Sequence, residues 1–117
     1  MQKMSSEIKK NIVEKIVPKE HILSTKCSCI GDVRKQIDRI DDAIIKLIAE
    51  RRYYVLQAAE FKTSESDVRA EKRVEEVIGK VRSKAERYGA DAAMVEKLYR
   101  EMIEEFIHIE RKKFMDK

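Results

Sequence analysis

The chain has 117 residues, of which 41% are charged and 43% are hydrophobic, and its formal net charge is +4 at pH 7. This length favours one domain, and this apolar content excludes a wholly disordered chain. The 26 Lys and Arg residues are interleaved with 22 Asp and Glu residues, which argues against a dedicated nucleic-acid binder. No segment has the ~20 apolar residues of a membrane span, and residues 1–18 lack the apolar core of a signal peptide. We therefore expect a cytoplasmic protein without nucleic acid or membrane as a partner.

The composition predicts an all-α chain. Proline occurs only at position 18 and glycine only at positions 31, 79 and 89, in a sequence rich in Glu, Lys, Arg, Ala and Ile. These residues favour helices, and no alternating apolar pattern of the strand type is present. Residues 1–26 stand apart as either a loosely docked arm or a short amphipathic helix that ends near Pro18. Residues 27–117 form the expected helical domain.

Two cysteines, Cys27 and Cys29, are separated by a single residue. Neighbours this close rarely reach disulfide geometry, so reduced thiols are the simpler interpretation. With His21 they form only a weak zinc pattern, because zinc-binding cysteines usually keep more residues between them and a fourth ligand is missing nearby. We expect no metal site.

The first predicted helix begins at Ser28 or Asp32, both favoured N-cap residues, and no helix breaker follows before residue 63. Its apolar stripe advances in alternating steps of four and three residues: Val33, Ile37, Ile40, Ile44 and Ile48. From residue 32 to residue 62 the helix is ~46 Å long, whereas a compact 100-residue domain has a radius of gyration of only ~13 Å. The stripe therefore needs cover from another chain, which predicts a homodimer with the first helix at the interface.

Two more helices follow in the predicted three-helix chain. The second covers residues 68–88, and its inward positions are Val74, Val77, Ile78, Val81 and Ala85. Gly89 suits the C-terminal cap of this helix, and Asp91 suits the N-cap of the third. One face of the third helix carries Val95, Leu98, Met102, Phe106 and Ile109, and a second face carries Tyr99, Ile103, Ile107 and Phe114.

Three charged residues lie where these stripes call for apolar ones. Continued past Ile48 in the same steps, the first stripe reaches Arg51, Val55, Ala58 and Lys62. On the third helix, the stripe through Phe106 leads to Glu110. Because a buried charge is costly unless it is paired, two interpretations stand. The charges form either a structural ion-pair network or a pocket of two cations and one carboxyl for a small dianion.

Arg34 lies 17 positions before Arg51, which is ~25 Å along a straight helix. It cannot share a small site with Arg51 and Lys62 inside one chain. In an antiparallel dimer, the start of one first helix meets the end of its partner, and Arg34 then reaches the site of the other chain. Taken alone, an arginine in the position of Arg34 is more often a solvated flank of the stripe.

Several of these positions match a known family. The stretch DVRKQIDRID at 32–41, followed by LIAERR at 47–52 and by Phe61 and Lys62, resembles the all-helical, type II chorismate mutases. The resemblance covers about residues 28–114. Two later stretches are similar to a branch of that family that includes isochorismate pyruvate-lyases: FKTSE at 61–65, and the pair Arg73 and Val74. The resemblance implies the chorismate mutase II fold, an intertwined helical homodimer with two active sites, and no cofactor.

The resemblance also implies roles for four candidate catalytic residues. Arg34 resembles the arginine that is supplied across the dimer. Arg51 resembles the arginine that clamps a substrate carboxylate, and Lys62 the lysine that bonds the ether oxygen and a carboxylate. Glu110 falls where many members carry a glutamine, and others a glutamate, that bonds the same ether oxygen. Such a glutamate donates only when it is protonated.

Other candidate substrate-binding positions depart from the family pattern. Members usually place an acid at the start of the second helix to bond the substrate hydroxyl; this position aligns with Lys72, and Glu71 comes one place earlier. Phe106 replaces a small polar residue of some members. The implied activity is the rearrangement of chorismate to prephenate in aromatic amino-acid biosynthesis. Isochorismate pyruvate-lyase activity and a non-catalytic helical dimer are the alternatives.

Overall fold

A computed structural model describes residues 26–64 and 68–116. In these ranges the chain has three α-helices and no strand: α1 (Ile30–Glu60), α2 (Glu71–Tyr88) and α3 (Ala92–Met115). The all-α prediction and the long first helix are therefore confirmed. Apart from Lys26, the arm or short helix expected at residues 1–26 lies outside the described residues. None of the described helices contains a stretch that is apolar and long enough to cross a membrane.

The beginning of α1 differs from the prediction. Its N-cap residue is Cys29, which is extended (φ −150°, ψ 163°) and makes no side-chain capping bond within the described residues. The two expected N-cap residues contact each other instead, because the hydroxyl of Ser28 donates to Oδ2 of Asp32 over 3.3 Å. The backbone N–H groups of Asp32 and Val33 both donate to the carbonyl of Cys29. The backbone thus provides this helix start without a polar side chain at the N-cap position.

The end of α1 also corrects the prediction, since Lys62 is not on the helix. The helix ends at Glu60, with Phe61 as its C-cap. The N–H of Phe61 donates to the carbonyl of Ala58 (3.0 Å), and the N–H of Lys62 donates to that of Ala59 (3.2 Å). These bonds satisfy carbonyl groups that the helix end leaves open. Lys62 therefore starts the segment after α1, two residues past the last helical residue.

The buried face of α1 shifts along the helix. The predicted stripe from Val33 to Ile48 is 38–50% exposed in the single chain. Farther on, Ala58 is exposed and Ala59 is fully buried, so the prediction of Ala58 as an inward residue is wrong. A straight helix repeats every 3.6 residues, and a stripe of period 3.5 drifts by ~20° in each heptad. The inward positions after Ile48 therefore follow steps of four, through Arg51 to Ala59.

The segment before α2 contains a separate helical turn. Val68 and Arg69 are helical, but α2 starts only at Glu71, so the predicted start at residue 68 is wrong. Between them Ala70 has φ 43°, a left-handed conformation that is unfavourable for alanine and interrupts the helix. Val68 is buried, and its N–H donates to the carbonyl of Ser64 over 3.3 Å.

The described chain divides into two compact units, and α3 contributes to both. The first contains Glu71–Met102 among the described residues, that is, α2 and the first part of α3. Gly89 has φ 77° and ends α2, as predicted. Asp91 caps α3, because its Oδ1 accepts the N–H of Met94 over 2.9 Å. Ile78 and Ala85 are buried, as predicted.

Salt bridges on the polar sides of α2 and α3 accompany this packing. Arg100 donates two hydrogen bonds to Glu75 (3.0 and 3.2 Å) and one to Glu96 (2.7 Å). Arg82 donates to the other oxygen of Glu96 over 2.6 Å. These bridges link α2 and α3 within this unit, and solvent weakens them because the side chains are 27–63% exposed.

The second unit contains α1, the segment up to Ala70, and α3 from Ile103 onward. Its buried apolar residues are Ala59, Val68, Ile103, Phe106 and Ile107. Glu110 is buried among them, as the α3 stripe predicts. This unit holds the charged cluster that the sequence singles out.

Candidate active site

The end of α1 and the last three turns of α3 bring four of the predicted site residues together. Arg51 comes from α1, Lys62 from the segment after it, and Phe106 and Glu110 from α3. Phe106 and Glu110 are four residues apart and therefore lie on the same face of α3. The Nζ atom of Lys62 lies 3.7 Å from Oε2 of Glu110, and both side chains are largely buried, with exposed fractions of 22% and 11%.

Arg51 is held against an aromatic ring. Its guanidinium carbon lies 5.0 Å from the centroid of the Phe106 ring, within the range of a cation–π contact. The ring is buried, and so is the Nη1 atom of Arg51. Phe106 was a candidate for substrate contact, but its observed contact is with Arg51. A ring in this position restricts the guanidinium and orients it before any ligand enters.

The carboxyl of Glu110 experiences two opposing effects. Burial disfavours its charged form and raises the pKa of Glu110 above the ordinary value of 4.5. Lys62 opposes this by its charge and its contact with the carboxyl, and the charge of Arg51 opposes it as well. Burial is the largest of these effects, so the pKa remains raised. Two cations thus surround a carboxyl that keeps its proton to a higher pH than an exposed glutamate does.

Lys113 is a neighbour of this cluster that the sequence analysis missed. Its Nζ atom donates to the carbonyl of Leu56 (3.1 Å) and to Oε1 of Glu60 (3.1 Å). The last turn of α1 has no basic residue of its own, so Lys113 supplies the positive charge that a helix C-terminus favours. A basic residue one turn beyond Glu110, opposite a helix end without one, is the signal that could have identified it.

A second missed contact holds the turn before α2. Arg69 donates to both carboxylate oxygens of Glu104 over 3.1 and 3.5 Å. Both side chains are about half-exposed, so solvent weakens this pair. It ties the short turn that contains the buried Val68 to α3.

Arg34 belongs to the same unit as the cluster but lies away from it along α1. Arg34 is exposed near the start of α1, ~25 Å from Arg51 along the helix axis. Glu71 and Lys72 are exposed residues of the first turn of α2 and belong to the other unit. No group of three His, Cys, Asp or Glu side chains with metal-binding proximity occurs in ranges 26–64 and 68–116.

The arrangement suits the binding of a small anion. Arg51 and Lys62 provide two cations in a poorly solvated setting, where their interactions are stronger than in water. Arginine pairs with a carboxylate through two parallel hydrogen bonds, whereas lysine acts as a point charge. In its neutral form, Glu110 can donate one hydrogen bond to a ligand oxygen.

Comparisons with known proteins agree with this chemistry. The family model described as chorismate mutase type II matches residues 33–111. The chain is also similar to a protein named isochorismate pyruvate lyase from Pseudomonas aeruginosa. The two are 37% identical over 81 residues, which cover 69% of this chain and 80% of the relative. The region matched by the family model, residues 33–111, contains Arg51, Lys62 and Glu110.

Proposed function

Because the chain belongs to the type II chorismate mutase family, we propose that it catalyses the rearrangement of chorismate to prephenate. The observation that carries this proposal is the convergence of Arg51 and Lys62 on the buried carboxyl of Glu110. The rearrangement is pericyclic and needs neither a nucleophile nor a cofactor. An enzyme accelerates such a reaction by selecting the reactive conformer and stabilising the charge that develops. We further propose a cytoplasmic role in aromatic amino-acid biosynthesis.

Arg51 is proposed to bind a substrate carboxylate. Its contact with Phe106 orients the guanidinium in advance, which reduces the conformational entropy lost when the substrate binds. Chorismate carries two carboxylates, and a second arginine is required if both are to be paired bidentately. Within the proposal, Arg34 of the partner subunit supplies it.

Lys62 and Glu110 are proposed to act on the ether oxygen. In the transition state the carbon–oxygen bond breaks ahead of carbon–carbon bond formation, so negative charge grows on that oxygen. Lys62 offers a positive charge, and protonated Glu110 offers a hydrogen-bond donor. The raised pKa of Glu110 supports its protonated form, and a bound dianion raises that pKa further by charge repulsion. This interaction strengthens as the charge develops, so it accelerates the reaction rather than only tightening binding.

The proposal requires a homodimer. Helix α1 has 31 residues, a length of ~46 Å, and its apolar stripe from Val33 to Ile48 is exposed in the single chain. A second copy that packs antiparallel along this stripe covers it. In that arrangement, the Arg34 end of one α1 approaches the Arg51 end of the other.

Isochorismate pyruvate-lyase activity is the second candidate. The named relative from Pseudomonas aeruginosa, 37% identical over the matched region, favours it. The same two cations would then hold isochorismate while pyruvate is eliminated and salicylate is formed. The resemblance implies a glutamine at the position of Glu110 in the lyases of this branch, so Glu110 favours the mutase.

The decisive experiment offers the purified protein chorismate and isochorismate separately and identifies the products. Prephenate from chorismate, lost in Arg51→Ala and retained in the neighbouring exposed variant Arg52→Ala, supports the mutase. Salicylate and pyruvate from isochorismate, with little prephenate, assign the lyase activity instead. If neither substrate is converted, both proposed activities are wrong, and other ligands and partners of the charged cluster become the candidates.

A further inference from the structure

Lys113 joins the two elements that carry the charged cluster, although it does not belong to the cluster itself. Its ammonium group donates to the backbone carbonyl of Leu56 and to the carboxylate of Glu60, each over 3.1 Å. Leu56 and Glu60 lie in the last two turns of α1. Lys62 follows two residues after Glu60, and Glu110 precedes Lys113 by three residues on α3.

The two contacts of Lys113 differ in what they can contribute. Its pair with Glu60 involves side chains that are 35% and 59% exposed, so water screens that attraction. The contact with the Leu56 carbonyl is partly buried and fixes a backbone atom rather than a flexible side chain. Because α1 has no basic residue in its last turn, this contact also balances the negative end of the helix dipole.

The position of the α1 end determines the position of Lys62. The N–H of Lys62 bonds the carbonyl of Ala59, so the backbone at Lys62 moves with the last turn of α1. Glu110 lies one turn before Lys113 on α3, a rise of ~4.5 Å. Its Oε2 atom is 3.7 Å from the Nζ atom of Lys62. A shift of α1 relative to α3 therefore changes the spacing between Lys62 and Glu110 directly.

We propose that Lys113 is a positioning residue, which anchors the end of α1 to α3 and thereby sets the spacing of Lys62 and Glu110 for reaction. The role in catalysis rests on the proposed function, whereas the geometric part does not. Lys113 touches neither the reacting atoms nor the proposed carboxylate clamp. Its effect passes through Lys62, which stabilises charge that develops only in the transition state. Loss of Lys113 should consequently lower kcat more than it raises KM.

The test compares Lys113→Met with two other variants. Methionine is unbranched like lysine, but it has no charge and cannot donate a hydrogen bond. Lys113→Arg keeps a cation and should restore most of the wild-type behaviour. Lys112→Met removes an exposed lysine from the neighbouring position and serves as the matched control. Circular dichroism verifies that each variant is folded. If Lys113→Met does not fold, Glu60→Gln, which weakens only the exposed contact, replaces it with a smaller expected effect.

The first readout is independent of activity. The carboxyl carbon of Glu110, labelled with ¹³C, is titrated by NMR in the protein without ligand. We expect the pKa of Glu110 to rise further in Lys113→Met, because Lys62 and its charge retreat from the carboxyl, and to stay at the wild-type value in Lys112→Met. An unchanged Glu110 titration in Lys113→Met overturns the proposal, whatever the enzyme assay shows.

The second readout is kinetic. With chorismate, or with isochorismate if that is the substrate, we expect kcat of Lys113→Met to fall by roughly ten- to a hundredfold, the order of effect of a ~1 Å misplacement. KM should change by less than about threefold. Equal losses in Lys113→Met and Lys112→Met, or a loss confined to KM, contradict the positioning role. If the wild-type protein converts neither substrate, the proposed function fails while the titration still decides whether Lys113 positions Lys62.

Discussion

The ammonium nitrogen of Lys62 lies 3.7 Å from Oε2 of Glu110, so the cation and the carboxyl form an ion pair without a short hydrogen bond. Burial raises the pKa of Glu110, while Lys62 and Arg51 counteract part of that increase. The protonation of Glu110 should therefore affect both the activity and the stability of the protein.

The dependence of activity on pH should follow Glu110. If the reaction needs the protonated carboxyl, kcat/KM for chorismate falls as the pH rises through the raised pKa of Glu110, by about tenfold for each pH unit above it. Glu110→Gln, which donates at every pH, should make the profile nearly flat. Steady-state kinetics between pH 4.5 and 8 measure this, with Glu105→Gln on the exposed side of α3 as the control. A flat wild-type profile excludes the role of Glu110 as a proton-bearing donor.

Glu110 should also make the free energy of unfolding depend on pH, and the direction of that dependence can be worked out. Between the ordinary pKa of 4.5 and its raised value in the folded protein, Glu110 stays protonated in the folded state and ionises in the unfolded state. The folded state then binds more protons, so the contribution of Glu110 to the free energy of unfolding decreases as the pH rises. Relative to Glu110→Gln, the wild-type protein should lose stability from about pH 4.5 upward. Urea unfolding of both proteins at several pH values measures the difference, and a constant difference contradicts it.

The contact between Arg51 and Phe106 should affect substrate binding more than turnover. Phe106→Leu keeps an apolar side chain but removes the aromatic face, a contact worth about 0.5–1.5 kcal/mol at a partly desolvated site. We expect KM for chorismate to rise between about twofold and tenfold while kcat changes little, because the clamp holds substrate and transition state alike. Phe114→Leu, two turns farther along α3, controls for the loss of a ring. A larger effect on kcat than on KM argues against this role.

The sequence predicts those features of the site that are determined within a single helix or at its ends. The periodicity of α3 predicted the buried position of Glu110, because an apolar face on a regular helix continues in a fixed direction. Gly89 and Asp91 marked the boundary between α2 and α3, since their preferences are local. Each of these predictions depends on a single element and its immediate neighbours.

The features that the sequence did not predict depend on contacts between elements. Helix α1 ends before Lys62, and near this end the Nζ atom of Lys113 donates a hydrogen bond to the carbonyl of Leu56. These two residues are 57 positions apart in the sequence. The break at Ala70 requires a conformation that alanine rarely adopts, so no local preference announces it. The shift from Ala58 to Ala59 reflects the drift of a 3.6-residue helix against a 3.5-residue stripe, and an extrapolated pattern cannot include it.

The proposed donation of Arg34 across the dimer makes a prediction about mixed subunits. Arg34→Ala and Arg51→Ala should each be inactive as homodimers. In a heterodimer of the two, one site combines the intact Arg51 of one chain with Arg34 of the partner subunit, and the other site lacks both arginines. After unfolding and refolding of an equal mixture, about a quarter of the wild-type activity should return, because half of the dimers are mixed and each has one complete site. A mixture that stays inactive contradicts the shared site.

The raised pKa of Glu110 has a thermodynamic consequence for any dianion that enters beside Lys62 and Arg51. The added negative charge makes the ionised carboxyl still less favourable, so the complex takes up a proton from the solvent in the pH range where the empty site has begun to lose it. The buffer supplies that proton and contributes its own heat of ionisation to calorimetric titrations. The apparent binding enthalpy therefore depends on the choice of buffer, and the affinity weakens as the medium becomes more alkaline. The buried carboxyl thus makes proton uptake part of the ligand-binding equilibrium.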